Sequence, residues 1–78
     1  MDWVEFHSTT LARGSYRATP SRLRLEFCNG RVYDYFDVPA QIFEELLAAE
    51  SKGRYFNSHI RNHFRTQEVH ARSAGSEN

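Results

Sequence analysis

A strict polar–apolar alternation followed by a turn signal constrains the fold of this chain most. In residues 22–27 (RLRLEF) every second residue is apolar, which is typical of a strand with one buried face. Asn29-Gly30 comes next, and Asn-Gly between two strand-like runs is the strongest short-range hairpin signal. Residues 32–38 supply the returning strand. The sequence therefore predicts a central β-hairpin.

Two registers of this hairpin give Tyr33 and Tyr35 opposite environments. A two-residue turn places both rings on the polar face, and it sets Asp34 on the apolar face. A three-residue turn with Gly30 as a bulge places the rings on the core face and pairs Asp34 with Arg24. A carboxylate on an apolar face costs more free energy than a tyrosine hydroxyl at its rim, so the second register is slightly favoured.

Two helices are predicted after the hairpin. Pro39 suits the first turn of the first helix, whose apolar stripe is Ile42, Phe43, Leu46, Leu47 and Ala49. The second helix begins after Ser51, a good N-cap, and is expected to run to about residue 65. Its buried ridge consists of Phe56, Ile60 and Phe64, which are four residues apart.

This order of elements indicates an α+β domain. We expect a small antiparallel β-sheet of about three strands, with the Asn-Gly hairpin at its centre, followed by two packed helices. Further strand candidates lie at residues 3–7 and 11–17, before a Thr19-Pro20-Ser21 turn. A chain of 78 residues is expected to hold one domain, which we place at residues 1–65. Residues 66–78 are predicted to be a flexible polar C-terminal tail.

Charge is segregated along the chain although its formal net charge is zero. Residues 13–31 hold five arginines and one acid, residues 32–50 hold five acids and no base, and residues 51–72 hold five bases and one acid. Nine of the ten basic residues are arginine, whose planar fork pairs with phosphate and whose flat face stacks on rings. We therefore expect separate basic and acidic surfaces.

Several classes of protein are excluded or disfavoured. A single cysteine, Cys28, rules out an intrachain disulfide. With no long apolar run and no signal-peptide pattern, a soluble cytoplasmic protein without a membrane partner is expected. Nucleotide-binding glycine motifs are absent, and His59 and His63 have no evident third metal ligand. We expect no enzymatic activity, no metal and no cofactor.

The landmarks of the chain, in order and spacing, resemble the KTSC domain over roughly residues 4–64. They are Gly14-Ser15-Tyr16, the Leu23/Leu25/Phe27 strand, Gly30, Tyr33-Asp34-Tyr35, Val38-Pro39, Ser51-Lys52-Gly53, Tyr55-Phe56-Asn57 and Ile60-Arg61. That family is named for its occurrence at the C-terminus of some bacterial lysyl-tRNA synthetases, and it also occurs as free-standing small bacterial proteins. The resemblance implies RNA binding as a function, and it carries no aminoacylation activity.

Three groups of residues are candidates for nucleic-acid binding. The Ser51-Lys52-Gly53-Arg54 segment is either a phosphate site or simply a helix start, and the helix start is favoured. The arginine stripe, Arg54, Arg61 and Arg65, is either a phosphate-binding surface or a solvated helix face. The tyrosine motif either stacks on bases or packs in the core, which is favoured. The full set is Lys52, Arg54, Arg61, Arg65, Arg22, Arg24, Tyr33 and Tyr35.

The leading hypothesis is a small module that binds RNA (tRNA or single-stranded) or another single-stranded nucleic acid weakly and mainly through phosphate. The alternative is a protein–protein interaction or self-association module with no nucleic-acid ligand, in which an acidic first helix and a basic second helix dock against a like partner. We expect a monomer that self-associates weakly at most.

Overall fold

The computed structural model describes residues 3–69, which form one antiparallel sheet and a helical layer. The sheet has five strands in the spatial order β1-β2-β3-β4-β5. The strands are β1 (Val4–Glu5), β2 (Leu11–Ala18), β3 (Ser21–Phe27), β4 (Val32–Phe36) and β5 (Thr66–Val69). The helices are α1 (Ala40–Ala48) and α2 (Lys52–Tyr55), which continues as a π-helical turn (Phe56–Ile60). The predicted α+β class is confirmed, whereas about three strands was an undercount.

The undercount comes from two short edge strands. β1 has two residues, both exposed, so it carries almost no periodic signal. β5 lies in the segment predicted to be a flexible tail, and it pairs antiparallel with β4 from Tyr35–Thr66 to Val32–Val69. Edge strands are commonly short and carry charged side chains, which discourage pairing with other chains, and β5 has four residues including Glu68. The tail prediction is therefore wrong for residues 66–69, and residues 70–78 lie outside the described residues.

The hairpin has the register of the three-residue turn, in which Asp34 pairs with Arg24. This confirms the prediction that Asp34 avoids the apolar face. The pairs that define this register are Leu25–Tyr33, Arg24–Asp34 and Leu23–Tyr35. The Gly30 N–H donates to the Phe27 carbonyl at 2.9 Å, and the Phe27 N–H donates to the Arg31 carbonyl at 2.8 Å. Gly30 has a φ of 90°, in the region that favours glycine. This three-residue turn directs both tyrosines toward the helical layer.

The core lies between the sheet and the helical layer. Leu23 and Leu25 of β3 are fully buried, as their alternation predicts. The helices contribute Leu46 from α1, and Phe56 and Ile60 from the π-helical turn. Partly buried aromatic rings, among them those of Tyr16, Phe43 and Phe64, pack around this cluster. Within residues 3–69 no helix has the length and apolar character needed to span a membrane.

The second helix begins as predicted and ends five residues early. The Ser51 side chain caps α2 by accepting a hydrogen bond from the Arg54 N–H at 3.2 Å. After Ile60 the chain leaves the helix, because Arg61 is extended and Asn62 takes the left-handed conformation with a φ of 65°. Asparagine tolerates that conformation better than most residues. The reversal carries the chain into β5, so a helix to residue 65 is a wrong prediction.

Candidate functional site

A cavity of about 430 Å³ opens between the β3–β4 hairpin and the π-helical turn. Aromatic side chains form its apolar wall, namely Phe27, Tyr33, Tyr35 and Phe56. We call it the tyrosine cavity, because both tyrosines of the central motif line it. The structure thus brings the two motif tyrosines together at one concave surface, on the side of the sheet that carries the helices.

Edge-to-face ring contacts fix this aromatic wall. The Phe27 ring centroid lies 5.6 Å from that of Tyr33 and 5.2 Å from that of Phe56, and Tyr35 lies 5.8 Å from Phe56. The interplanar angles are 77° to 88°, the perpendicular arrangement that aromatic quadrupoles favour. The rings therefore hold each other in a defined orientation.

The two motif tyrosines differ in exposure. Tyr35 is 4% exposed and belongs to the core, as the favoured interpretation predicted. Burial raises the pKa of its hydroxyl above the ordinary value. Tyr33 is half-buried, so part of its ring faces the cavity. Tyr33 is therefore the motif tyrosine that can contact a ligand.

The polar part of the cavity is cationic and rich in amides. Its arginines are Arg31 and Arg61, and its amides are Asn29, Asn57 and Asn62. None of the described residues that line the cavity is acidic. An amide both donates and accepts hydrogen bonds, whereas arginine only donates. This wall can therefore recognise a ligand that carries negative charge together with polar ring edges.

The cavity arginines have little internal pairing. Arg31 Nη1 lies 3.7 Å from Glu68 Oε2, but its side chain is 61% exposed, and exposed pairs of this kind contribute little. Arg61 is exposed, and no carboxylate within residues 3–69 lies at ion-pair distance from it. Both side chains are thus available to an anion.

The π-helical turn explains how Arg61 reaches the cavity. The Arg61 N–H donates to the carbonyl of Phe56, five residues earlier, at 2.8 Å. In an α-helix, with 3.6 residues per turn, residues five apart would lie about 140° apart around the axis. The wider turn brings Arg61 nearly above Phe56, so that both residues line one cavity.

A second cavity, also about 430 Å³, adjoins the first and shares Thr10 and Asn57 with it. It contains the Ser51–Arg54 segment, for which the sequence left open a phosphate site or a helix start, and Lys52 makes internal contacts there. Lys52 Nζ donates to the carbonyls of Leu47 at 2.9 Å and Ala49 at 2.7 Å. Its ammonium thus stabilises the C-terminal end of α1.

The packing around residue 53 explains why a glycine is found there. A Cβ atom at this position would lie 2.7 Å from Thr10 Oγ1 and 3.2 Å from Thr10 Cβ. The glycine therefore admits the Thr10 side chain of the loop before β2. Arg54, by contrast, is exposed and lines this second cavity.

Arg22 and Arg24 lie on the opposite face of the sheet and bind Asp34. Arg24 makes a bidentate contact, with Nε–Oδ1 and Nη2–Oδ2 distances of 2.7 and 2.9 Å. Arg22 Nη1 lies 3.6 Å from Asp34 Oδ2. The carboxylate is 5% exposed, and its hydrogen bond raises the pKa of Arg24. Both arginines therefore take part in an internal ion-pair network.

Arg65 also lies on that opposite face, so the arginine stripe does not form. Its guanidinium lies 4.8 Å from the ring centroid of Phe36, which pairs with Arg22 across the sheet. The stripe required one helix from Arg54 to Arg65, and the helix ends at Ile60. Arg54 and Arg61 stay on the helical side, whereas Arg65 does not.

The sequence prediction missed several residues of the cavity. Arg31 could have been found, because the favoured register places it opposite Phe27 on the cavity face. Asn57 lies beside the buried Phe56, but only the π-helical turn explains why it shares the cavity with Arg61. Asn62 gave no signal before its left-handed conformation was seen. Within residues 3–69 no group of three or more metal-binding side chains is close enough to hold a metal ion.

Comparisons with known proteins agree with this architecture. A lysine–tRNA ligase from Trichormus variabilis is 43% identical over 54 residues, which are 69% of this chain and 10% of the ligase. A protein from Tsukamurella paurometabola is 38% identical over 58 residues, which are 74% of this chain and 87% of that protein. A crystal structure of a KTSC domain protein from Yersinia pestis has the same fold, with a TM-score of 0.83. It is 24% identical, and the match covers 88% of this chain and 97% of that one.

The family comparison covers β2, β3, β4, α1, α2 and the π-helical turn. The family model for the KTSC domain matches residues 7–64, a segment that includes Tyr33, Tyr35 and Arg61. It stops before β5, whose Thr66 completes the cavity. With a match over most of its length and the same arrangement of strands and helices, this chain belongs to the KTSC domain family.

Proposed function

We propose that this domain binds RNA, either single-stranded RNA or the unpaired parts of tRNA, weakly and mainly through phosphate. The observation that carries the proposal is the availability of Arg54 and Arg61. Both are exposed on the helical side of the sheet, and no described carboxylate lies at ion-pair distance from either. Similarity to a segment of lysine–tRNA ligases supports RNA as the polyanion.

Phosphate contacts by arginine account for the expected affinity. Each contact releases counterions from the strand, so binding weakens as the salt concentration rises. For single strands, the logarithm of the association constant falls by about 0.7 per contact for each unit of the logarithm of the salt concentration. Arg31, Arg54 and Arg61 together make three contacts on the helical side of the sheet, so this logarithmic salt slope should be about −2. A small number of contacts corresponds to micromolar or weaker affinity at physiological salt.

The other candidate residues have internal roles. Arg22 and Arg24 bind Asp34, and Lys52 binds carbonyls at the end of α1. Arg65 lies against Phe36 on the far face. We therefore place the phosphate contacts on Arg31, Arg54 and Arg61, with Tyr33 beside them, and we propose no catalytic role for any of these residues.

The test is an NMR titration of the labelled chain with tRNA and with single-stranded RNA at several salt concentrations. We expect shift changes around Arg54 and Arg61 and a steep inverse salt dependence. Arg61→Glu should weaken binding about tenfold and flatten the salt slope. Arg65→Glu is the matched control, because it makes the same charge change on the far face, and it should weaken binding much less.

Two outcomes contradict the proposal. Flat shifts at low salt with both RNAs would exclude RNA binding, and equal losses in Arg61→Glu and Arg65→Glu would show that only overall charge matters. Sedimentation at micromolar concentration tests the alternative from the sequence. A mass that doubles with concentration, together with flat RNA titrations, would establish self-association instead.

A further inference from the structure

The tyrosine cavity has properties that phosphate binding alone does not require. Phosphate recognition needs cations and N–H donors, yet half-buried rings of Tyr33 and Phe27 line this cavity. Its volume of about 430 Å³ lies within the range of about 300–1,000 Å³ of small-molecule sites. A ligand that uses the whole cavity therefore has a flat apolar part as well as a negative charge.

We propose that this cavity receives one unstacked nucleobase of the bound strand, while Arg31 and Arg61 contact the phosphates beside it. The inference rests on the proposed RNA binding and specifies how the strand is held. Single-stranded RNA is commonly recognised in this way, because unpaired bases can leave the stack and lie against aromatic side chains.

The aromatic wall divides into a contact surface and a support. Tyr35 and Phe56 are 4% and 7% exposed, so their rings offer little area to a ligand. Tyr33 and Phe27 are half-buried, and their perpendicular contact fixes the exposed part of each ring. The base therefore lies against Tyr33 and Phe27, and the buried rings keep that surface rigid.

The amides supply contacts to the polar edge of the base. Asn57 and Asn62 are exposed and line the cavity next to Arg61. Their side chains can donate to a ring carbonyl and accept from an exocyclic amino group, so they suit any of the four bases. Asn29 accepts a hydrogen bond from the Arg31 N–H at 2.9 Å, which holds the turn beside the cavity.

Charge selects this ligand over an acidic peptide or an apolar side chain. The described lining residues include two arginines and no acid, so the cavity favours a ligand with an attached anion. An apolar side chain would leave the amides and guanidinium groups without partners, and a carboxylate alone would not cover the rings. A base with its flanking phosphates uses all three kinds of group.

The test compares three ligands: a short single-stranded RNA, an abasic ribose-phosphate strand of the same length, and the four nucleoside monophosphates. We expect the RNA to bind about tenfold more tightly than the abasic strand, with shift changes at Tyr33, Asn57 and Asn62. The monophosphates should give the same pattern of shifts at much higher concentration, since each carries a base but only one phosphate.

Variants at Tyr33 separate stacking from folding. Tyr33→Leu should remove the preference for RNA over the abasic strand, whereas Tyr33→Phe should keep it. Phe36→Leu is the matched control, because it removes a half-buried ring on the opposite face of the sheet. Asn57→Ala, at an exposed position, is the second variant, and it should reduce the preference in part even if Tyr33→Leu fails to fold.

The outcomes distinguish this inference from the proposed function. Equal binding of the RNA and the abasic strand would overturn the base site and leave phosphate binding intact. Binding of neither strand would overturn both. Monophosphates that bind as tightly as the strand would assign the cavity to free nucleotides and overturn the strand-bound form.

Discussion

Arginines on the two faces of the sheet have different surroundings. On the face opposite the helices, Arg24 and Arg22 bind the buried carboxylate of Asp34, and Arg13 binds Glu26. On the helical face, Arg61 is exposed without a carboxylate at ion-pair distance among residues 3–69. Cross-strand pairing places Glu26 opposite Arg13 and Asp34 opposite Arg24. Arginine content alone therefore does not identify a binding surface, because neighbouring carboxylates decide which guanidinium groups are available.

The largest effect is expected from Asp34→Asn, which leaves Arg22 and Arg24 without their carboxylate. Removing one partner of a buried ion pair leaves an uncompensated charge, so we expect a loss of about 3 kcal/mol in the free energy of unfolding. Urea denaturation measures it. The control is Glu68→Gln, since Glu68 faces Arg31 at 3.7 Å near the cavity and should contribute less than about 0.5 kcal/mol. Similar losses in both variants would remove the contrast between the faces.

A direct comparison of two arginines gives the next largest effect. Arg24→Gln removes a bidentate contact to a buried carboxylate and should destabilise the fold by about 2 kcal/mol. Arg61→Gln should change the stability by less than about 0.5 kcal/mol, because Arg61 is exposed. Thermal and urea unfolding of both variants provide the measurement. If Arg61→Gln were as destabilising as Arg24→Gln, Arg61 would be a structural residue and the proposed interface would lose its main contact.

Gly53→Ala tests whether Gly53 is required by the close approach of the Thr10 side chain. The new Cβ would lie 2.7 Å from Thr10 Oγ1, so we expect a loss of about 1 kcal/mol in stability. In a Thr10→Gly background the clash disappears, because the Oγ1, Cβ and Cγ2 atoms that the new Cβ would meet are all removed. There the same substitution should be neutral or stabilise by up to about 1 kcal/mol through helix propensity. An equal loss in both backgrounds would contradict the Thr10 contact.

The smallest effect concerns a hydrogen bond between α1 and α2. Tyr55 donates to Glu45 Oε1 at 2.7 Å, and burial together with this hydrogen bond raises the pKa of Tyr55 to about 12. The folded pKa exceeds the ordinary value of 10.0, so this contribution to stability is complete below pH 10 and is lost as the pH rises toward 12.

NMR titration of the tyrosine rings measures this pKa. Glu45→Gln should lower it toward the ordinary value, because the charged acceptor is removed. Glu44→Gln is the control, with the same change of charge and no hydrogen bond to Tyr55 among the described contacts. An unchanged pKa of Tyr55 in Glu45→Gln would show that burial alone sets it.

The hairpin and the helix start could be predicted from the sequence because their signals are local. The hairpin register followed from the free-energy cost of placing Asp34 on an apolar face. The helix start followed from the preference for serine at N-cap positions, which Ser51 fits. β5 could not be predicted, since Thr66–Val69 is mostly polar and its pairing with β4 joins residues more than thirty apart. Such pairing leaves no periodic pattern in the segment itself.

The candidate site was predicted in part for the same reason. Arg54 and Arg61 lie on the helical side, and Tyr33 lines the cavity, as a binding role requires. The partners of Lys52 are backbone carbonyls, which a sequence does not display. The arginine stripe was a wrong prediction because the chain leaves the helix after Ile60 and reverses at Asn62, before Arg65. No residue in this segment signals that reversal in the sequence.

The position of β5 has a practical consequence for defining the domain. The family match stops at residue 64, so a fragment trimmed to that boundary would lack the strand that covers β4. The unpaired N–H and C=O groups of β4 would then form a bare edge next to a row of aromatic rings, a setting in which strands add to one another and chains aggregate. Such a fragment would also lose Thr66 from the cavity wall, so its behaviour would not report on the domain.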